Sequence, residues 1–335
     1  MFDQWVLMII SRTPYRISFF GGGTDYPQWY KKNKSSTISA TINHYSYITV
    51  KNLPNIFKYK FRIRYYFREE VNNLNKIKHP VIKAVLKRKK IKEGLDIVHH
   101  GDLPARTGIG TSASFSVGLL NVINSIKKIK ISKEKLAKEV LHLEHKILKE
   151  HTGSQDQIAA TYGGLNKIDF YKNNFKCKRI SLSKKKMKEL ENWIQIFFTG
   201  KQRNSAGLEK SKINNSLKNY KINNQIYSIT NKAYNILKSN KKNFMYEFSA
   251  LLNQQWFLKK SLSKKVSNNF IDKIYSKGIK AGAVGGKILG AGSCGFMMFL
   301  TPPHKKKQVS KFVKLPEVKV KFDFEGSKLV HKENL

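Results

Sequence analysis

"GDLPARTGIGTSASFSVGLLNV", residues 101–122, joins a glycine-bearing turn directly to an apolar run of helical spacing. Phe115, Leu119, Val122, Ile123 and Ile126 recur every three or four positions, which predicts a buried helix opening near Thr111. Gly108 and Gly110 free the backbone ahead of it, and the N–H groups of Thr111, Ser112, Ala113 and Ser114 form its unsatisfied first turn. Such a terminus attracts anions, with about 0.3–1 kcal/mol from the dipole alone and more from direct amide hydrogen bonds. The lysine of a Walker A loop is missing. A metal can supply the remaining positive charge, and hydroxyls at Thr111, Ser112 and Ser114 offer hard oxygen ligands suited to Mg²⁺ shared between protein and phosphate. The plain alternative is a capped helix with a flexible entry.

Outward from this segment, periods of two and of 3.6 alternate. Residues 5–10 predict a first buried strand, and residues 36–50 and 57–67, rich in β-branched and aromatic side chains, predict two more. Leu136, Val140, Leu143 and Ile147 mark a second helix, with Ser132 as its N-cap. A strand follows Gly164, and the lysine-rich stretch 171–190 is the candidate boundary region. Residues 193–200 predict a buried strand, and 205–280 predict several helices with solvated outer faces. After a glycine-rich loop come a strand at 295–300, a helix opened by Pro302 and Pro303, and a last strand in which Val318, Val320, Phe322 and Phe324 share one face. Strands and helices interleave without regular βαβ spacing, which predicts an α+β protein of two domains, 1–185 and 186–335.

Sixty-four Lys and Arg against 22 Asp and Glu give a formal charge of +42, which on its face suggests nucleic acid or an anionic membrane. Only nine of the basic residues are arginine, and the lysines are dispersed among abundant Asn and Ile instead of forming a tail or stripe. A polyanion partner is therefore disfavoured. Two cysteines, Cys177 and Cys294, make neither a disulfide framework nor a zinc motif, consistent with a reducing cytoplasm. The run at 5–10 is too short to span a membrane and lacks the marks of a signal peptide.

Three further motifs carry chemistry. In "RTPYRISFFGGGTDY", residues 12–26, a glycine triplet ends a strand between Arg16 and Asp25, so a cation and a carboxylate could reach one pocket mouth; an ordinary hairpin turn is the alternative. In "LEHKILKEHTGSQDQIAATYGG", residues 143–164, Glu144 sits within the second helix, where a carboxylate usually serves solvation. Asp156 follows Gly153 in a turn entering an apolar run, where it could orient a nucleophile and accept its proton. His142, His145 and His151 lack a third ligand nearby and are taken as surface or packing residues. In "GGKILGAGSCGFMMFL", residues 285–300, a GAGxxG pattern runs into a strand, which argues against a dinucleotide site and leaves open a glycine loop closing over a ligand.

These four motifs, in this order, resemble the GHMP small-molecule kinase superfamily, and within it most resemble the D-glycero-D-manno-heptose 7-phosphate kinases. The glycine triplet stands where galactokinases carry Glu and His. The resemblance implies a ribosomal-protein-S5-like N-terminal α+β domain and a ferredoxin-like C-terminal domain with the site between them. It implies ATP and Mg²⁺, and phosphorylation of the anomeric hydroxyl of the heptose phosphate for surface polysaccharide. The loop of Pro104, Arg106, Thr107, Gly108, Ile109, Gly110, Thr111, Ser112, Ala113 and Ser114 would wrap the nucleotide phosphates. Ser112 and Glu144 would hold the metal, Asp156 would be the catalytic carboxylate, and Arg16 would stabilise Asp156 or the transferring group. Asp25 would hydrogen-bond the sugar beside Gly21, Gly22, Gly23 and Thr24, while Gly290, Ala291 and Gly292 would line the site from the second domain. Thr111 replaces a more usual Ser, and Ser293 and Cys294 interrupt the last glycine run.

A phosphorylated sugar also needs a distal cation, for which Arg203, with Lys201, is the candidate; a strand-end surface pair is the alternative. The partners expected are small molecules, ATP and a sugar or sugar phosphate, with no specific nucleic acid and no membrane. The resemblance leaves room for a homodimer. A kinase for fucose or galactose, a catalytically silent relative and a basic nucleic-acid-binding protein remain as alternatives.

Overall fold

The computed structural model describes residues 8–200 and 219–332. Its larger sheet grows around one long strand. β1 (Met8–Phe20) and β2 (Ser35–Asn52) run antiparallel for most of their length, with the short α1 (Pro27–Tyr30) between them. β2 serves two more partners in succession: its first part pairs with β6 (Leu165–Tyr171), its last with β5 (Leu95–Gly101). β5 takes β3 (Phe61–Arg64) in parallel, β3 pairs with β4 (Arg68–Val71), and β6 carries β7 (Asn174–Arg179). Against this sheet lie α3 (Thr111–Ile126) and α5 (Gln155–Tyr162), with α2 (Pro80–Arg88) packed on α3 and α4 (Lys133–His142) on both. α3 is apolar nearly all round because it is covered on all sides; Phe115, Val117, Leu119, Leu120, Val122 and Ile123 are buried, each worth about 1.5–3 kcal/mol at full burial.

The second sheet is antiparallel, in the order β11 (Glu317–Val318), β8 (Ile194–Phe198), β10 (Phe296–Leu300), β9 (Gly285–Ile288). The helices α6 (Lys184–Trp193), α7 (Tyr220–Lys238), α8 (Phe244–Ser261), α9 (Asn269–Lys280) and α10 (Lys306–Val313) belong to this half, and α7 packs on α8 and on β1 and β2 of the larger sheet. β10 is an unbroken apolar run because both its faces are buried. Phe296, Met298 and Leu300 join one core cluster, and Met297 and Phe299 join another with Ile271 and Val309. The first of these clusters also contains Phe19, Phe20 and Ile38, and the Phe248 ring meets those of Phe19 and Phe20 edge-on at 5.7 and 4.9 Å. One core therefore runs through both sheets and fixes the floor of the cleft between them.

Several sequence expectations change at their edges. The strand expected at 57–67 is a hairpin, β3–β4, turning at 65–67. The stretch 171–190 is ordered as β7 and the start of α6: Phe175 packs with Ile168 and Phe170, and the Ser183 hydroxyl caps α6 by accepting from Lys186 N. The last strand does not hold Val318, Val320, Phe322 and Phe324 on one face. Only Glu317–Val318 is a strand; Asp323 then turns the chain, its carboxylate accepting from the N–H groups of Glu325 and Gly326, so Phe322 is buried and Phe324 exposed. The chain returns as β12 (Lys328–Lys332), antiparallel to β1 in the first sheet. Ser132 does cap α4, accepting from Lys135 N.

Candidate active site

Gly110 is the N-cap of α3, in the left-handed conformation and without a side-chain cap, so the terminus faces a cavity of about 630 Å³ with its N–H groups uncovered by its own sequence. The first internal helix bond runs from Ser114 N to Gly110 O at 2.9 Å, leaving Thr111, Ser112 and Ala113 to present the preceding amides. The three hydroxyls separate. Ser114 Oγ donates to Pro14 O at 2.8 Å in the core, and Thr111 Oγ1 accepts from Arg106 N at 3.3 Å, whereas Ser112 is exposed on the cavity wall. Arg106, Gly108, Gly110, Thr111, Ser112 and Ala113 line the cavity; Pro104, Thr107, Ile109 and Ser114 stand behind it. Thr107 Oγ1 donates to Pro104 O at 2.7 Å and so shapes the turn.

Directly beneath, β1 delivers Arg16. Its backbone N–H donates to Ile109 O at 3.0 Å and Nη1 to Gly108 O at 2.8 Å, so the strand holds the loop from below. Its Nε donates to Asp156 Oδ1 at 2.7 Å and Nη2 to Asp156 Oδ2, a two-pronged contact of the kind only arginine makes. The Arg16 side chain is 4% exposed and that of Asp156 24%, so the carboxylate is anchored from behind and open in front. Asp156 also lies in the first turn of α5, where the helix dipole favours its charge.

Asp25 has a different setting. It is buried, with Oδ1 accepting from Gly23 N at 3.0 Å and Oδ2 from Gln155 N at 3.3 Å, while its carbonyl accepts from Ser154 N at 2.9 Å. Burial, with the Asp156 charge second, raises its pKa above the ordinary carboxylate value. It thereby ties the glycine triplet to the turn carrying Asp156. A Cβ on Gly153 would lie 2.0 Å from Asp25 Oδ2, which is why that turn needs glycine. Gly22, Gly23 and Asp25 line the cavity; Gly21 and Thr24 do not, and the Thr24 hydroxyl donates to Gly21 O at 2.9 Å, bracing the loop.

Glu144 was expected on a regular helix. It lies instead on a π-helical turn, Leu143–Ile147, that continues α4, and this turn swings it inward until it is 2% exposed. Oε2 accepts from Gln157 Nε2 and, at 3.4 Å, from Thr152 Oγ1; Oε1 is buried with no hydrogen-bond partner. Burial pushes its pKa up to about 7, against the pull of the Gln157 hydrogen bond. An orphaned buried carboxylate oxygen and the exposed Ser112 hydroxyl on one cavity wall fit a hard divalent cation. Among the described residues no cluster of three or more His, Cys, Asp or Glu could cage a metal, so a cation here would be shared with phosphate oxygens. His145 Nε2 is 3.0 Å from Thr152 O, and His142 and His151 are exposed, in keeping with their reading as packing and surface residues.

The second sheet closes the cleft with the turn after β9. A Cβ on Gly108 would fall 2.5 Å from Leu289 O, and one on Gly290 would fall 2.3 Å from Gly108 Cα, so two glycine loops meet backbone to backbone. Ser293, at φ +68, is held by its amide donating to Val266 O at 2.8 Å, its hydroxyl donating to Lys265 O, and its carbonyl accepting from Asn268 Nδ2. The interruption of the glycine run is thus supported locally, and Gly290, Ala291 and Gly292 line the cavity. Arg203 and Lys201 lie outside the described residues.

Several other cavity residues were not singled out as site residues in the sequence. Tyr65, Tyr66 and Phe67 from the β3–β4 turn, with His79, His99 and Phe115, form an aromatic wall; Phe115 stacks on His79 at 4.8 Å and meets His99 edge-on at 5.0 Å. Gln155, Lys259 and Lys287 also line the cavity. The aromatic run was the one available signal, and it reads equally as strand propensity.

An uncovered helix terminus beside an anchored carboxylate in one cleft is an arrangement suited to phosphoryl transfer. The comparisons with known proteins agree. Residues 75–164 match the model of the GHMP kinases N terminal domain and residues 236–315 that of the GHMP kinases C terminal, and the chain belongs to this family as a sugar kinase, for which ATP is the expected donor. It is 29% identical over 325 residues, 90% of this chain and 92% of the relative, to the D-glycero-alpha-D-manno-heptose 7-phosphate kinase of Campylobacter jejuni. It is also 29% identical over 173 residues, 48% of this chain and 46% of the relative, to the galactokinase of Pyrococcus furiosus. In fold it is similar to a crystal structure titled as a D-glycero-D-manno-heptose 1-phosphate kinase from Bacteroides thetaiotaomicron (TM-score 0.79, 21% identity, 97% of this chain and 100% of that one). The two-domain α+β architecture is that of the family. No described helix is long and apolar enough to cross a membrane.

Proposed function

We propose that this sugar kinase transfers the γ-phosphoryl group of ATP to the anomeric hydroxyl of D-glycero-D-manno-heptose 7-phosphate, yielding the 1,7-bisphosphate for nucleotide-heptose and surface polysaccharide synthesis in the cytoplasm. The observation that carries it is the Arg16–Asp156 pair: a carboxylate clamped on its inner side and open to the cavity beside the amides of α3. The kinship to a relative named for that substrate supports the acceptor.

In this mechanism the uncovered amides of α3, with Gly108 and Gly110 admitting close approach, receive the donor phosphates. The aromatic wall of Tyr65, Tyr66, Phe67 and Phe115 offers flat apolar surface for the base. Asp156 orients the acceptor hydroxyl; as its oxygen bonds to the γ-phosphorus, the bond to the ADP oxygen breaks and the hydroxyl proton passes to the carboxylate. Arg16 holds that carboxylate in register, and Asp25 fixes the turn that bears it. Ser112 and Glu144 would hold Mg²⁺, which supplies charge neutralisation for the phosphates when bound. Residues 1–185 carry these groups and 186–335 close over them, though the last strand, β12, returns to the first sheet.

A coupled ADP-release assay with Mg-ATP against the heptose 7-phosphate, the dephosphorylated heptose, fucose and galactose tests this, with Asp156→Asn as control. Turnover with the heptose 7-phosphate that is lost in the control is expected. Preference for fucose or galactose would overturn the acceptor assignment and leave the kinase chemistry standing.

A further inference from the structure

The end of the cavity proposed for the acceptor carries two lysines, Lys287 within the 285–300 motif though not singled out there, and Lys259 outside every motif. Lys259 is on α8 and Lys287 on β9; their residues are 4% and 1% exposed, and both line the cavity. Lys287 Nζ donates to Ser18 O at 2.9 Å and to Phe19 O at 3.0 Å, and Lys259 Nζ donates to Gly290 O at 2.5 Å. These contacts locate the ammonium groups. Ser18 Oγ donates to Gln155 Oε1 at 2.9 Å, and Gln155 adjoins Asp156 in sequence, so Lys287 stands two side chains from the reacting carboxylate. On α8, Gln255, Lys259 and Leu262 share one face at helical spacing. Gln255 Nε2 donates to Phe19 O at 3.1 Å and its Oε1 accepts from Gly21 N at 2.9 Å, while Leu262 would lie 3.3 Å from a Cβ on Gly23. That face is seated on the glycine triplet.

Arg16 is paired with Asp156, whereas Lys259 and Lys287 bring two lysine side chains to a low-dielectric wall, where an ion pair acts at several times its strength in water. Under the proposed function the α3 terminus receives the donor phosphates. A phosphate monoester carried by the acceptor suits two lysines, since lysine serves as a point-charge partner for phosphate.

We infer that Lys259 and Lys287 form a cationic subsite for a phosphate group that the acceptor sugar already carries, remote from the hydroxyl that reacts. This deepens the proposed function and rests on its assignment of the glycine-triplet end to the acceptor.

The test compares kcat/KM for heptose 7-phosphate with that for the dephosphorylated heptose in the full-length wild type, Lys259→Met and Lys287→Met. Thermal unfolding with and without each sugar, in the absence of ATP, accompanies the kinetics. The ratio of the two kcat/KM values is expected to fall by about tenfold or more in each variant, the size of one charge-assisted contact, with the KM for ATP changed less than about twofold. Stabilisation by heptose 7-phosphate should shrink in parallel. A ratio unchanged from wild type, or a rise in the KM for ATP alone, overturns the subsite. Should Lys287→Met not fold, Lys259→Met carries the same comparison by itself. If the wild type turns over neither heptose, the proposed function fails separately. The subsite then stands only if heptose 7-phosphate raises the unfolding temperature more than the dephosphorylated sugar and Lys259→Met abolishes the difference.

Discussion

The two ends of the cleft are built in opposite ways. The end proposed for the donor is local: residues 104–114 make a turn and a helix start whose uncovered backbone amides are the proposed binding groups. The end proposed for the acceptor is assembled from β1, the turn before α5, α8 and β9, and presents side chains that meet only because one core joins the two sheets. Backbone sites are robust to side-chain change and sensitive to added bulk; side-chain sites show the reverse. Asp156 stands at the junction.

Breaking the junction has the largest expected effect. Asp156→Asn should lower kcat by about 10²–10⁴ while changing both KM values little, since a proton acceptor is lost and the shape is kept. Steady-state kinetics with saturating ATP check this, and a selective rise in one KM would assign Asp156 to one end only. Gly290→Ala probes the donor end. Its Cβ would fall 2.3 Å from Gly108 Cα at a φ of +67, so the loops must separate. The KM for ATP should rise by about tenfold with a stability loss of about 1–3 kcal/mol, read by urea unfolding. Gln255→Leu probes the acceptor end, leaving Gly21 N and Phe19 O without their partner. It should cost about 1–3 kcal/mol and raise the sugar KM, not the ATP KM. If both substitutions moved the same KM, the division into two ends would fall.

The smallest effect is a pH dependence. Glu144 titrates near 7 in the folded chain, above its ordinary value of 4.5, so the folded state holds this proton more tightly than the unfolded state. Its stabilisation is present in full below about 4.5 and is lost as pH rises through about 7. Metal-free protein should therefore show a declining unfolding midpoint across that window, and Glu144→Gln should flatten the decline.

Legibility followed the same division. The α3 terminus, Ser132 as a cap and the helical spacing of the core were written locally and were found. Glu144 on a regular helix was the expectation, and the π-helical turn that buries it had no local signature. The run at 318–324 alternated as a strand should, yet Asp323 folds the chain over and sends β12 back to β1. Lys259 was hidden among more than fifty other lysines, and Lys287, though inside the 285–300 motif, was not singled out, since sequence spacing carries no record of which ammonium groups become buried.

What the sequence by itself determined is the family, through four motifs spread from residue 12 to residue 300, and the glycine-led start of α3, which helical spacing writes locally. Tertiary structure alone decided the fork from Arg16 to Asp156, the burial of Asp25 and Glu144, the meeting of the two glycine loops and the two lysines at the acceptor end. Those depend on desolvation and on contacts spanning as many as 269 residues, and both arise only once the shared core has closed.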